Sequence, residues 1–422
     1  RQAGADAAEI RLSQSRTLSV SVRNAQTDQL EYEADQSASV QVYCTGRSGS
    51  AGTTDLSAGG LDDALTQAMT IARFTERDRY AGLADADLMA RDWPDLSLYH
   101  PWALSADEAG ELGCRLEAAA RAHDPRIEQV EEANVVCGEG VTAYGNSHGF
   151  VGVTRASHNA MSCVVIARDD KGMQRDAAFT QAHAAEDLDA AEVIGRRAAE
   201  RTVACLGART PPTTTAPVLF VPRVARSLWG HFVSAISGGA LYRDASFLKE
   251  RVDSRIMATG VELNQRPHRP RGLASAGYDA DGVATRDRQL VADGILRGYL
   301  LGAYSARRLG LQSTGNAGGV FNLEVTPGTD DFDALVRGMG RGLVVTRLMG
   351  QGVNIVTGDY SRGAAGYWVE NGEAAYPVEN VTIAGNLADM FMQIEALGAD
   401  VDAQSAIPTP SVCIGAMTIA GQ

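Results

Sequence analysis

The feature that most constrains the fold of this sequence is a glycine-punctuated stretch, residues 349–371, which reads MGQGVNIVTGDYSRGAAGYWVEN. Its two apolar runs, residues 353–357 and 364–369, are rich in residue types that favour β-strands. The glycines around them favour sharp turns and close backbone approaches. We therefore predict a β-hairpin whose tip presents four polar side chains, those of Asp359, Tyr360, Ser361 and Arg362.

An acid, a phenol, a hydroxyl and a guanidinium at one hairpin tip are typical of a functional surface. The alternative is a structural role, in which Asp359 and Arg362 cap their own turn. Both interpretations remain open from the chemistry of these residues.

The composition is that of a globular protein. The 422 residues indicate two or three domains, and no apolar run is long enough to span a bilayer. The net charge of −14 argues against nucleic acid or an anionic membrane as a main partner, because phosphate binding depends on clustered Lys and Arg. The six cysteines include no CxxC pair, which favours a reducing, cytoplasmic location over a disulfide framework.

The N-terminal half combines strands with helices. Short strands are predicted at residues 8–12, 17–23, 29–33 and 39–43, before a small-residue turn at 46–52. A second set of strands is predicted at residues 127–136, 141–144, 151–156, 161–167 and 177–180, with turns at 137–140, 146–149 and 169–172. Helices are predicted at residues 61–72, 105–122 and 188–206, the second with a capping box formed by Ser105 and Glu108.

The segment GARTPPTTTA, residues 207–216, is predicted to be a linker between a domain of residues 1–207 and a β-rich domain of residues 217–422. In the second domain, strands are predicted at residues 218–221 and 412–419, a strand pair at 374–383, and helices at 224–236, 303–309, 331–339 and 386–397. The fold class is therefore α+β, in two domains, each with a largely antiparallel sheet and segregated helices.

His231 is the first candidate metal ligand, because it lies on a predicted helix, in LWGHFVSAIS. A zinc hydrolase needs a second His on the same helix face and a carboxylate base beside the first. Phe232 follows His231 instead, and Ile236 lies one turn further on, so we interpret His231 as structural. The sequence also contains no GxSxG elbow and no phosphate-binding GxxxxGK[ST] loop, which excludes most nucleotide-using classes.

Several longer runs are specific enough to compare with known families. In the C-terminal half these runs are YRDASFLKE (242–250), YSARRLGLQSTGNAGG (304–319), MGQGVNIVTGDYSRGAAGYWVENGE (349–373) and TIAGNLADMF (382–391). In the N-terminal half they are GSAGTTDLS (49–57) and YGNSHGF (144–150). Together they resemble the PmbA (TldE) branch of the TldD/PmbA metallopeptidase family, also called the modulator of DNA gyrase family. The resemblance therefore covers nearly the whole chain.

The resemblance implies a cytoplasmic bacterial protein associated with proteolysis. In this family a TldD-type subunit carries zinc on an HExxxH helix, with a later Cys as a further ligand. It forms a heterodimer with a PmbA-type subunit around a peptide-binding cavity. The complex is linked to the processing of microcin precursors and to the degradation of unfolded peptides such as an antitoxin.

This sequence departs from the catalytic branch at the metal site. His231 matches the first His of HExxxH, but Phe232 replaces the Glu and Ile236 replaces the second His. Cys413, in SVCIGAM, does not match the segment that carries the zinc Cys. We therefore expect no metal and no catalytic residue in this chain, with His231 a vestige and the zinc held by a TldD-type partner.

The expected function is that of a non-catalytic subunit, inactive without its TldD-type partner, that binds extended peptide. Candidate contacts with the peptide or the partner are Tyr242, Arg243, Asp359, Tyr360, Ser361 and Arg362, with Asp359 and Arg362 paired. The alternatives are a stand-alone homodimer that binds peptides by strand addition, and a hydrolase with a non-zinc site around residues 359–362. Nucleic acid and membrane are not expected as partners.

Overall fold

The computed structural model describes residues 4–421 and has the mixed α+β architecture that the sequence predicts. The strands are β1 (Ala7–Arg23), β2 (Gln26–Cys44), β3 (Arg47–Thr53), β4 (Ile127–Asn146), β5 (Val151–Asp169), β6 (Gly172–Ala182), β7 (Thr214–Phe220), β8 (Leu263–Gln265), β9 (Arg288–Ala292), β10 (Ile295–Leu296), β11 (Leu323–Val325), β12 (Gly342–Met349), β13 (Asp359–Glu370), β14 (Glu373–Asn386), β15 (Ile394–Leu397) and β16 (Val412–Ala420). The α-helices are α1 (Ala58–Phe74), α2 (Ala106–Arg121), α3 (Ala191–Val203), α4 (Pro222–Ala235), α5 (Gly238–Leu241), α6 (Ala303–Leu309), α7 (Phe332–Met339) and α8 (Leu387–Met392).

The N-terminal half contains a six-stranded antiparallel sheet in the order β3-β2-β1-β4-β5-β6. Helix α1 packs on β2 and β3, while α2 and α3 cover the sheet from β1 to β6. The predicted capping box at the start of α2 is confirmed, because Ser105 accepts from the Glu108 amide and the Glu108 side chain accepts from the Ser105 amide. The turns predicted at residues 146–149 and 169–172 are also confirmed, since strands end and begin on either side of them.

Two turns that were predicted in this half from their glycines are wrong. These glycines lie in strands, at points where another element packs close to the backbone. Residues 137–140 lie inside β4, paired with β1 on one side and β5 on the other. Residues 47–53 form β3, and a Cβ on Gly49 would collide with the backbone of α1. Uninterrupted pairing also makes β1 and β2 single long strands, although two short strands were predicted for each.

The C-terminal half is built on a six-stranded sheet in the order β14-β13-β12-β7-β16-β15. The pair β7–β12 is parallel and the other pairs are antiparallel. Strand β14 also pairs with β16, so the sheet closes on itself. Helix α4 packs in the large core on one face of this sheet and α7 covers the other, while a small sheet, β10-β9-β8-β11, adds to the α4 side.

Four predictions in this half are corrected by hydrogen bonds that the sequence pattern does not show. Residues 353–357 belong to the loop between β12 and β13, where the Asn354 side chain accepts from the Val356 amide and bends the chain away from a strand. The helix predicted at residues 386–397 ends at Met392, because residues 394–397 pair with β16 as β15. The strand pair predicted at residues 374–383 is part of the single strand β14, and residues 214–216 of the predicted linker belong to β7.

A bulge in β13 depends on Gly366, since a Cβ there would collide with the Val344 carbonyl oxygen. We expect Gly366→Ala to lower the free energy of unfolding by ~1–3 kcal/mol or more, because the rigid strand cannot move aside. Gly338→Ala in α7 is the matched control, because no atom lies within 4 Å of the added Cβ. It should be neutral or stabilising by up to ~1 kcal/mol. Equal denaturation midpoints for the two variants would contradict this expectation.

Candidate functional site

The four polar residues predicted at a hairpin tip instead begin strand β13, so the prediction of a tip is wrong. Strand geometry sends successive side chains to opposite faces. Tyr360 is 1% exposed and faces the core beneath α4, and Arg362 shares its face of the strand. Asp359 and Ser361 lie on the other face and are exposed. The strand therefore separates the four residues into two pairs and does not join them in one catalytic group.

The predicted pairing of Asp359 with Arg362 is also wrong. The Asp359 carboxylate accepts from Thr357 Oγ1 at 2.6 Å and from Asn386 Nδ2 at 3.4 Å. The Arg362 Nε donates to the Gly350 carbonyl oxygen at 3.0 Å. Residues three apart on a strand point to opposite faces, and within residues 4–421 no ion pair joins these two side chains.

The residue that meets Tyr360 is His231 of α4. The two rings are edge to face, with centroids 6.1 Å apart and planes at 75°. The His231 Nε2 and the Tyr360 Oη are both shielded from solvent, and neither has a hydrogen-bond partner among the described residues. The arrangement follows from α4, whose Phe232 and Ala235 enter the core and leave His231 half-buried at the flank.

Arg362 sets the electrostatics of this pair. Burial lowers the pKa of His231, and the nearby positive charge of Arg362 lowers it further. Burial raises the pKa of Tyr360 to about 12, although the Arg362 guanidinium opposes this shift. At neutral pH the site therefore consists of a neutral imidazole, a protonated phenol and one guanidinium.

These residues do not fit a zinc ion. Phe232 and Ile236, at the positions of the Glu and the second His of HExxxH, are both 0% exposed and pack in the apolar core. Cys413 lies in the separate cluster under α7, on the opposite face of the sheet from His231. In the part of the chain that the structure describes, no three His, Cys, Asp or Glu side chains are grouped closely enough to hold a metal ion.

Tyr242 and Arg243 belong to a different cluster, next to α6. The Tyr242 ring is edge-on to Tyr304, with centroids 5.6 Å apart, and the guanidinium groups of Arg243 and Arg308 lie over it. The Tyr304 hydroxyl donates to Asp78 at 2.7 Å, which links the cluster to the N-terminal half. None of the described contacts joins this cluster to Asp359, Ser361 or Arg362.

The sequence analysis did not predict the contact of Tyr242 with Tyr304 and Arg308, nor the contact of His231 with Tyr360. Tyr304 and Arg308 are four residues apart on the correctly predicted helix α6, and this spacing indicates a shared helix face. The contact of His231 with Tyr360 has no comparable signal, because it depends on how α4 packs against β13 across a large separation in sequence.

Comparison with known proteins identifies the family of this fold. Family models match three segments: the PmbA/TldA metallopeptidase domain 1 at residues 8–72, the central domain at 99–206, and the C-terminal domain at 213–421. The chain belongs to the PmbA/TldD metallopeptidase family. The resemblance inferred from its sequence motifs is thereby confirmed.

Relatives of the PmbA/TldD family match over nearly the full length. The chain is 44% identical to "Metalloprotease PmbA" of Escherichia coli O157:H7 over 99% of this chain and 93% of that protein. It is 42% identical to "Metalloprotease PmbA homolog" of Haemophilus influenzae over 100% of this chain and 93% of that protein.

Solved structures in the family share the fold. A Bacteroides thetaiotaomicron protein assigned as a modulator of DNA gyrase is similar with a TM-score of 0.94, 26% identity, and coverage of 100% of this chain and 96% of that one. TldE from Thermococcus kodakarensis is similar in fold, with a TM-score of 0.88, 21% identity, and coverage of 100% and 98%. No helix among residues 4–421 has both the length and the apolar character needed to cross a membrane.

The lowered pKa of His231 predicts a pH dependence of stability. Below the ordinary value of 6.5, the unfolded chain takes up a proton at this imidazole that the folded chain does not. The contribution of His231 to the free energy of unfolding should therefore decrease as the pH falls below 6.5 and through its lowered pKa. In the His231→Gln variant, this part of the decrease in the free energy of unfolding at low pH should be absent.

The control is His123→Gln, which removes an exposed imidazole just beyond α2. Urea unfolding of both variants and the wild type between about pH 5 and pH 8 measures the effect. A profile for His231→Gln that runs parallel to the wild type would show that this imidazole does not contribute.

Proposed function

We propose that this chain is the non-catalytic subunit of a two-chain zinc peptidase, in which a TldD-type partner holds the metal. The observation that carries the proposal is the replacement of two HExxxH positions by Phe232 and Ile236. Both side chains are hydrocarbon, with no atom that can bind zinc, and both are fully buried in the apolar core. In this proposal the chain has the fold of the family but lacks the zinc-binding side chains of the HExxxH motif.

The second part of the proposal is that the complex acts on extended or unfolded peptides, including microcin-type precursors and antitoxins. A cleft of about 480 Å³ between the N-terminal sheet and the segment at residues 276–280 supports this role. Strands β1 and β4 form one wall of the cleft, and a bound chain would contact their side chains, because the backbone of both strands is already paired within the sheet. Tyr242, Arg243, Asp359, Tyr360, Ser361 and Arg362 are retained as candidate contacts with the peptide or the partner.

The proposal also covers the location of the complex and the kinds of partner that this chain binds. We place the complex in the cytoplasm, consistent with six cysteines that are all free. The net charge of −14 supports a protein or peptide partner over nucleic acid or an anionic membrane. In the absence of the TldD-type chain we expect a homodimer, which light scattering on the purified chain measures.

The test compares this chain alone, a TldD-type chain alone and the two co-purified, by measuring bound zinc and hydrolysis of an unfolded peptide. We expect this chain alone to hold less than stoichiometric zinc and to show no turnover. The co-purified pair should contain zinc and cleave the peptide. Stoichiometric zinc with hydrolysis by this chain alone would overturn the proposal.

A variant of this chain locates the metal within the pair. His231→Ala should leave the zinc content of the co-purified complex unchanged, because the proposal places every ligand in the partner. His123→Ala serves as the matched control for the loss of one imidazole. Loss of zinc from the complex in His231→Ala, with none in His123→Ala, would show that this chain contributes a ligand.

A further inference from the structure

Three polar side chains from two elements lie close together beside α4. His231 comes from α4, and Tyr360 and Arg362 come from the same face of β13. The His231 Nε2 and the Tyr360 Oη are shielded and have no partner within residues 4–421. A buried polar group without a partner destabilises the fold, so two such atoms on neighbouring rings indicate that another group completes the site.

We propose that His231, Tyr360 and Arg362 form a binding site for a carboxylate, and that its ligand is the C-terminal carboxylate of a peptide. The Tyr360 hydroxyl and the imidazole N–H each offer a hydrogen-bond donor. Arg362 uses its Nε for the Gly350 carbonyl oxygen, and its guanidinium lies beside the Tyr360 hydroxyl, so that its terminal nitrogens are donors next to that hydroxyl. In this proposal one carboxylate accepts from all three side chains.

The charge of the site also calls for an anion. Arg362 makes no ion pair in the described part of the chain, and Asp359, the nearest acid in sequence, lies on the other face of β13 with Thr357 and Asn386 as its partners. A cation would be repelled by the guanidinium, which already disfavours protonation of His231. A carboxylate adds the missing negative charge next to a neutral imidazole.

The site is closed at its base and open at its side. Tyr360 is 1% exposed, whereas His231 and Arg362 are only half-buried. Gly230 precedes His231 on α4, and a Cβ there would meet no atom within 4 Å. The flank of α4 is therefore the open side of the site, and a ligand that contacts the His231 Nε2 and the Tyr360 Oη must displace the groups that shield these two atoms.

The carboxylate site stands on this geometry and does not depend on a partner chain. Only the choice of a peptide terminus as the ligand rests on the proposed peptide-binding function. The two proposals are tested separately, because the experiment below uses this chain alone and measures binding, without zinc or turnover.

The experiment titrates the full-length chain with three probes by calorimetry: sodium acetate, N-acetyl-tetra-alanine with a free C-terminal carboxylate, and the same peptide with a C-terminal amide. We expect the peptide acid to bind at least 10-fold more tightly than the peptide amide. Binding of the acid should also move the NMR titration midpoint of the His231 imidazole upward, because an anion beside it favours the protonated form.

Two variants test the residues. Tyr360→Phe keeps the ring and removes the hydroxyl, and should weaken binding of the peptide acid by about 10- to 100-fold, which is the range for one hydrogen bond to a charged group. Tyr367→Phe is the matched control, because Tyr367 lies on the same strand but packs with the α7 cluster on the opposite face. If Tyr360→Phe does not fold, Arg362→Gln provides the same test at a half-buried position.

Equal binding of the peptide acid and the amide would overturn the proposal, as would full binding by Tyr360→Phe or Arg362→Gln. The proposal would also be overturned if neither acetate nor the peptide acid binds at millimolar concentration. In that case a buried water would be the partner of the His231 Nε2 and the Tyr360 Oη. Acetate that binds as tightly as the peptide acid would support the carboxylate site and reject the peptide terminus as its ligand.

Discussion

The position of β7 between β12 and β16 is the constraint on which the C-terminal half depends. Its residues Val218, Leu219 and Phe220 are fully buried, with Val218 and Phe220 in the core under α4 and Leu219 in the core under α7. One short strand thus supplies side chains to both faces of the sheet and hydrogen bonds to both neighbours. The position of α4, and with it that of His231, follows directly because α4 begins two residues after β7 ends.

The site on α4 combines a helix packed in the core with three polar side chains at its flank. Phe232 and Ile236, next to His231 and about one turn beyond it, are part of the apolar core. What remains polar is an imidazole, a phenol and a guanidinium, a set that offers hydrogen-bond donors and positive charge. Such a set suits the recognition of an anion better than the activation of water on a metal.

The sequence predicted the elements with strong periodicity and missed those decided by long-range pairing. Helix α6 was predicted with the same bounds, and the capping box of α2 was found because its signal is local. Glycines led to wrong turn predictions in β3 and at residues 137–140 of β4, because there they allow close contact between elements without a turn. At the site, the residue types around His231 could be read from the sequence, whereas the contact of His231 with Tyr360 could not, because packing of α4 on β13 creates it.

The closure of the C-terminal sheet has a consequence for synthesis of the chain on the ribosome. Strand β16 pairs with β7, β14 and β15, and it is the last strand of the sequence. Its contacts join residues far apart in the chain, such as Ile419 and Thr214, and contacts of this kind form late and slowly. The N-terminal sheet ends at Ala182 and can form while the ribosome is still translating. The C-terminal sheet cannot close until β16 has left the ribosome, and until then the edges of β7 and β14 that pair with β16 stay unpaired.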